Sequence, residues 1–348
     1  MMKSSYPFKN LVFRGGGILG IAYLGALEVL DSDDNKILPG IVRVSGASAG
    51  AITALAVSLC TSAAEIKQMA DTLDFTKVPE KETVKLSKME SHTDAITGHL
   101  EKAVGLKFDP ADINCLIRLL KNYGWYSSNY VYEWFKTQIE TKFEAKGYPK
   151  PTSKSKVGMQ TFSDFKKAGF RDLYISVTNV TKHCNEIFSV ETMPDMPVAD
   201  AVRMSMSIPL YFESIKLNSN QYADGGTVNN YPMSVFDYKK YVSNPANFKD
   251  GINNETLGCH LYSAGESAKK PIKFGLVQYV VDLMQTLLDT QEIGFNSVPN
   301  LIKRSANISD CGISAIDFDI TVGSPKYNEL YSSGLEAMKK YLANYTKQ

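Results

Sequence analysis

Gly46-Ala47-Ser48-Ala49-Gly50 sets a serine between two glycines, directly after the β-branched run Ile41-Val42-Arg43-Val44 and before a long stretch of small apolar residues. A serine at such a strand-to-helix bend can serve as a nucleophile, because the glycines remove Cβ atoms that would clash and Oγ projects above a helix N-terminus. The same five residues also describe a turn that lets a helix pack closely on a sheet, and nothing within them separates the two readings. Upstream, Arg14-Gly15-Gly16-Gly17-Ile18-Leu19-Gly20 matches G-x-G-x-x-G after a short apolar run. A dinucleotide site would require an acidic residue at the end of the second strand, but that strand runs into Ser45-Gly46-Ala47-Ser48. The other use of the loop is an oxyanion hole, in which backbone N–H groups of Gly15, Gly16 and Gly17 face a developing negative oxygen.

A nucleophilic serine needs a base. Of the four histidines, His92 and His99 lie in a charged middle region and His183 sits in a polar turn, so surface positions are expected for all three. His260 is a stronger candidate, since Ser48, an aspartate and His260 would follow the chain order of a hydrolase triad. The competing base is Asp224, in Tyr222-Ala223-Asp224-Gly225-Gly226. A carboxylate at a glycine turn can approach a serine Oγ closely and take its proton with no imidazole between them.

The elements that must hold these residues are legible in outline. Leu11-Val12-Phe13 reads as a strand, Ile18 to Leu30 as a helix and Ile41 to Val44 as a second strand, so the first 65 residues form a βαβα unit on a mostly parallel sheet. From about residue 75 to 157 the chain is more charged, with helical spacing over Ile113 to Tyr123 and Val131 to Phe143. This is expected to be a helical insertion whose aromatics pack in a core. Strand patterns return at Leu173 to Thr178, Glu186 to Val190 and Gly258 to Ser263, with Asn244 to Glu255 expected as an exposed loop. Gly275 to Ile293 is amphipathic, with core packing the expected role and an interfacial surface the alternative, and Ser324 to Tyr345 closes the chain as a helix.

The bulk numbers exclude several classes. Lys plus Arg (38) nearly cancels Asp plus Glu (37), which gives no electrostatic basis for nucleic-acid binding. The five cysteines, Cys60, Cys115, Cys184, Cys259 and Cys311, are dispersed without a C-x-x-C pair and read as free thiols in a reducing compartment. Met1 to Asn10 lacks the apolar core of a secretory signal, so a cytoplasmic location is expected, with peripheral membrane contact local if it occurs. The uncharged stretch Val44 to Ala64 is too rich in serine, threonine, glycine and alanine for a membrane span and is expected to be a buried helix behind the serine turn.

Taken together, the glycine loop, the serine turn and Asp224-Gly225-Gly226, in that order, resemble the patatin-like phospholipase family. The similarity extends through Tyr126 to Phe135 and through Ala201 to Phe212 with its Ser207-Ile208-Pro209 turn. The resemblance implies a three-layer α/β/α sandwich with a mostly parallel central sheet. It implies one catalytic domain over residues 1–348, carrying 75–157 as a helical insertion and 264–348 as a C-terminal helical and strand extension. It further implies a Ser48-Asp224 dyad, an oxyanion hole from Gly15 to Gly17, and supporting turns at Gly46, Gly50, Gly225 and Gly226. The implied substrates are phospholipid or lysophospholipid acyl esters, with no metal ion or organic cofactor. In the family the glycine loop usually carries a basic residue two positions after its third glycine; here that position is Leu19, and Arg14 precedes the loop instead. Acyl transfer on the same residues, and a catalytically silent lipid-binding module, are the alternative functions.

Overall fold

Alternation within single strands sets the layers. In the computed structural model, which describes residues 6–80, 110–263 and 276–345, Leu11 and Phe13 of β1 (Asn10–Phe13) face one core and Val12 faces another. The first core is filled by the helices Ala22–Asp31, Ala49–Leu59 and Pro325–Ala343. The second is smaller and joins Val12 and Tyr174 to Met233, Phe236 and Tyr241. A sheet with apolar side chains on both faces must be covered on both, and the result is the three-layer α/β/α sandwich. The remaining strands in chain order are β2 (Arg43–Ala47), β3 (Gly124–Tyr126), β4 (Asp172–Asn179), β5 (Cys184–Phe188), β6 (Leu210–Phe212), β7 (Ile215–Leu217), β8 (Asn220–Asp224), β9 (Phe248–Lys249), β10 (Ile252–Asn253), β11 (Thr256–Tyr262) and β12 (Ser305–Ser309).

The main sheet runs β12-β11-β1-β2-β4-β8-β7, with β5 also on β4. Pairing is parallel from β12 to β4, and β5, β7 and β8 add antiparallel pairs. The register on β4 is informative. β2 occupies positions 172 to 176, β8 occupies 177 to 179, and β5 spans 175 to 179, overlapping both. One strand edge cannot serve two partners at one residue, so β5 takes one edge of β4 while β2 and β8 share the other. Along that shared edge Ala47 pairs with Ser176 and Asp224 with Val177, one strand step of about 3.3 Å apart.

Several expectations need adjusting. The second strand begins at Arg43 rather than Ile41 and runs on to Ala47, because the Val42 and Arg43 amides both turn to Lys9 O. The segment read as an exposed loop, 244–255, folds around the buried Glu255, whose carboxylate accepts the Ser243 and Asn244 amides at 2.8 and 2.7 Å. In the middle region Val131, Phe135, Ile139 and Phe143 are buried as expected, while His92 and His99 lie outside the described residues. His183 sits exposed in the turn before β5. Among the described residues no helix is long and apolar enough to cross a membrane.

The helix expected to pack in the core, Leu276–Asn296, instead leaves most of its described side chains exposed. Val280 and Phe295 are its buried ones.

Candidate active site

β2 ends at Ala47 and the chain turns at once into the helix Ala49–Leu59. Ser48 makes that turn with φ 52° and ψ −124°, a left-handed conformation that costs a non-glycine residue on the order of 1–3 kcal/mol. The surroundings enforce it. The Ser48 amide donates to Ser205 Oγ at 2.9 Å, and its carbonyl accepts the Ala51 amide at 2.9 Å. At the far end of the helix the Arg171 guanidinium donates to the carbonyls of Val57, Cys60, Leu38 and Ile41, fixing the helix against the strand. Gly46 and Gly50 sit where backbones cross: a Cβ on Gly46 would fall 2.1 Å from Gly50 O, and one on Gly50 2.3 Å from Phe13 O.

Asp224 reaches the same place from the opposite direction. Its amide donates to Ser207 O at 2.8 Å, its carbonyl accepts Thr178 Oγ1 at 2.8 Å, and the Gly225 amide donates to Ser205 O at 3.0 Å. The residue is 2% exposed. Oδ1 accepts the Gly226 amide at 2.6 Å, whereas Oδ2 is buried without a well-aligned hydrogen bond among the described residues. Burial pushes this carboxyl up to about 7, against the opposing pull of the nearby Ser48 hydroxyl and the Gly226 amide. A base ionising near neutrality beside a serine hydroxyl is suited to proton abstraction at physiological pH.

The glycine loop lies on the other side of Ser48. A Cβ on Gly15 would come within 3.0 Å of Ser48 Cβ and 2.2 Å of Asn230 Oδ1, so only glycine lets the loop approach the serine this closely. The Gly15 amide is already committed to Asn230 O at 3.0 Å, which leaves the amides of Gly16 and Gly17 as the loop's donors. Gly17 has φ +55°, and a Cβ there would lie 2.0 Å from Ala315 O. Asn230 also donates from Nδ2 to Gly15 O at 3.2 Å. Gln291, on the helix Leu276–Asn296, accepts the Asn230 amide and donates to Gly226 O, both at 2.8 Å. Asn230 and Gln291 therefore tie the loop, the aspartate turn and the overlying helix together.

His260 is placed elsewhere. On β11, its Nε2 stands 3.1 Å from Glu292 Oε2, in ion-pair range though misaligned for a hydrogen bond, and its ring stacks on Phe295 at 3.7 Å. Burial lowers its pKa. Arg14 is equally occupied, ion-paired to Glu292 at 3.2 Å and hydrogen-bonded to Leu261 O, and Leu19 is buried. Arg14 thus offers no free charge in place of the one missing at Leu19. A cavity of about 1110 Å³ opens on this side, lined by Arg14, His260, Glu292 and Phe295; neither Ser48 nor Asp224 lines it.

A strained serine and an aspartate turn that meet on one edge of β4, with a glycine loop after the neighbouring β1, set the chain beside a known group of proteins. The model of the patatin-like phospholipase family matches residues 11–237. The chain belongs to the patatin-like phospholipase family. Among its relatives, the probable lipid hydrolase 463L of Invertebrate iridescent virus 6 is 28% identical over 235 residues, 67% of this chain and 64% of that protein. Protein R571 of Acanthamoeba polyphaga mimivirus is 24% identical over 345 residues, covering 97% and 95% of the two chains. Among solved structures, VipD from Legionella pneumophila shares the fold with a TM-score of 0.54 at 18% identity, over 97% of this chain and 67% of that one.

Sequence reasoning passed over Ser205. It accepts the Ser48 amide, donates to Ser176 O at 2.6 Å and presents its carbonyl to Gly225, linking the serine turn, β4 and the aspartate turn. Its signal was the alternation Met204-Ser205-Met206-Ser207, with both serines wholly buried. Buried hydroxyls in an apolar run need partners, and here the partners are backbone groups of the site.

Proposed function

We propose that the protein hydrolyses lipid acyl esters through an acyl-enzyme, with Ser48 as nucleophile and Asp224 as general base. The observation that carries this reading is the buried Asp224 carboxyl, which β8 brings one register step from the end of the serine strand on β4 and which burial pushes up to about 7. Ionised Asp224 takes the Ser48 proton as Oγ attacks the ester carbonyl carbon, and the amides of Gly16 and Gly17 receive the oxyanion. Collapse of the tetrahedral intermediate breaks the ester C–O bond, and Asp224 returns the proton to the leaving alcohol. Asp224 then deprotonates a water that attacks the acyl-serine, and the fatty acid departs as Ser48 is reprotonated. With Leu19 buried and Arg14 neutralised by Glu292, the glycine loop itself supplies no cation for a phosphate headgroup.

Purified Ser48→Ala should lose both esterase activity and labelling by a fluorophosphonate probe. His260→Gln should stay within about tenfold of the parent rate, since loss of a general base typically costs about 10²-fold or more. An inactive His260→Gln that stays folded, alongside an active Asp224→Asn, would replace the dyad with a triad.

A further inference from the structure

The helix Leu276–Asn296 exposes part of one row of side chains and engages the fold with the rest. It buries Val280 and Phe295 and sends Gln291 to Gly226 O and the Asn230 amide, so it lies directly over the aspartate turn. The i, i+4 row that ends in Gln291 and Phe295 begins with Tyr279, Leu283 and Leu287, which are 66%, 45% and 38% exposed. Spaced four residues apart, they form one continuous stripe. Leu210 at the start of β6 and Val228 in the short helix Gly226–Asn229 are also exposed, and both elements pack against this helix.

We infer that this apolar face is a docking surface for a lipid layer of uncharged or zwitterionic headgroups; the inference rests on the lipid-ester reading above. Two observations select that occupant. First, the patch is continuous with the elements holding Asp224, where a substrate drawn from a lipid layer must enter. Second, apart from Glu292, which is paired with Arg14, the helix carries Asp282 and Asp289 and no lysine or arginine, so it brings no cation to an anionic surface and attachment must come from apolar insertion.

The test is flotation with phosphatidylcholine vesicles, using Ser48→Ala protein so that the lipid stays intact, with and without Leu283→Asp and Leu287→Asp. Removing both leucines should lower partitioning at least about tenfold. Admixed phosphatidylserine should weaken binding, and a Tyr279→Trp reporter should shift to shorter emission wavelength on vesicles. The milder Leu283→Gln/Leu287→Gln pair, checked by circular dichroism, guards against misfolding. Unchanged partitioning in both pairs, no partitioning of the parent, or binding that requires phosphatidylserine would overturn the inference. So would leucine variants that alter only the oligomeric state in gel filtration, which would make a second copy of the chain the occupant. Vesicle binding by a protein that hydrolyses no dispersed ester would instead overturn the functional reading and leave the docking surface standing.

Discussion

Replacing Asp224 by asparagine removes a charge that the fold must otherwise bury. The carboxyl is pushed from an ordinary 3.8 to about 7 by burial, and a gap of about three pH units corresponds to about 4 kcal/mol between the protonated and ionised native states. Proton counts give the sign. Between about pH 4 and pH 7 the native state keeps a proton that the unfolded chain has lost, so this group makes stability fall as pH rises, by up to about 1.4 kcal/mol per unit. Below that window both states are protonated, and above it both are ionised with the full cost in place. The amide introduced by Asp224→Asn cannot titrate, so the variant should gain stability over the parent as pH rises, from near zero at about pH 4 toward an upper bound of about 4 kcal/mol at about pH 8. Urea unfolding of both proteins across this range isolates the difference. In parallel, the parent's kcat/KM on a dispersed ester should fall about tenfold per unit below about pH 7, while the variant loses activity at every pH. A stability difference that stays constant between about pH 5 and pH 8 would refute the buried, proton-holding carboxyl. An active Asp224→Asn would refute its role as base.

Two further substitutions test the scaffold. Ser205→Ala leaves the buried Ser48 amide without its acceptor, at a cost of about 1–3 kcal/mol; the urea midpoint should drop, and fluorophosphonate labelling should slow with kcat. Gly17→Ala forces a Cβ against Ala315 O at a positive φ, so the loop must shift; kcat should fall by about 10²-fold or more while the serine stays in its turn, measurable as lost turnover in protein that still unfolds cooperatively.

The sequence carried the local chemistry further than the long-range geometry. Ser48 and the glycine loop announce themselves because a strained turn and a close approach demand particular residue types within a few positions. The Leu11 to Phe13 strand follows from a short apolar run stopped by glycines, and the helix after Ser48 from an uncharged stretch of small residues. Harder to read was which edge of β4 each partner takes, since that depends on register between segments separated by about half the chain. The short strands β6 and β7 were missed because three residues carry little alternation. β12 was missed because Ser305-Ala306-Asn307-Ile308-Ser309 reads as polar while its alternate side chains are buried against the core. The helix Leu276–Asn296 shows the converse limit: its apolar count was visible, but not that one part faces inward and another outward.

The meeting of β2 and β8 on a single edge of β4 has a consequence for synthesis. As the chain leaves the ribosome, the serine turn emerges early and can fold with the first β-strands, but it faces an open strand edge until β8 arrives. On the proposed dyad, the Asp224 carboxylate reaches Ser48 only once residue 224 has been made and paired in register with Val177. A chain that stops short of β8 would therefore carry the proposed nucleophile without its proposed base, and esterase activity would appear only in molecules in which β8 has docked on β4.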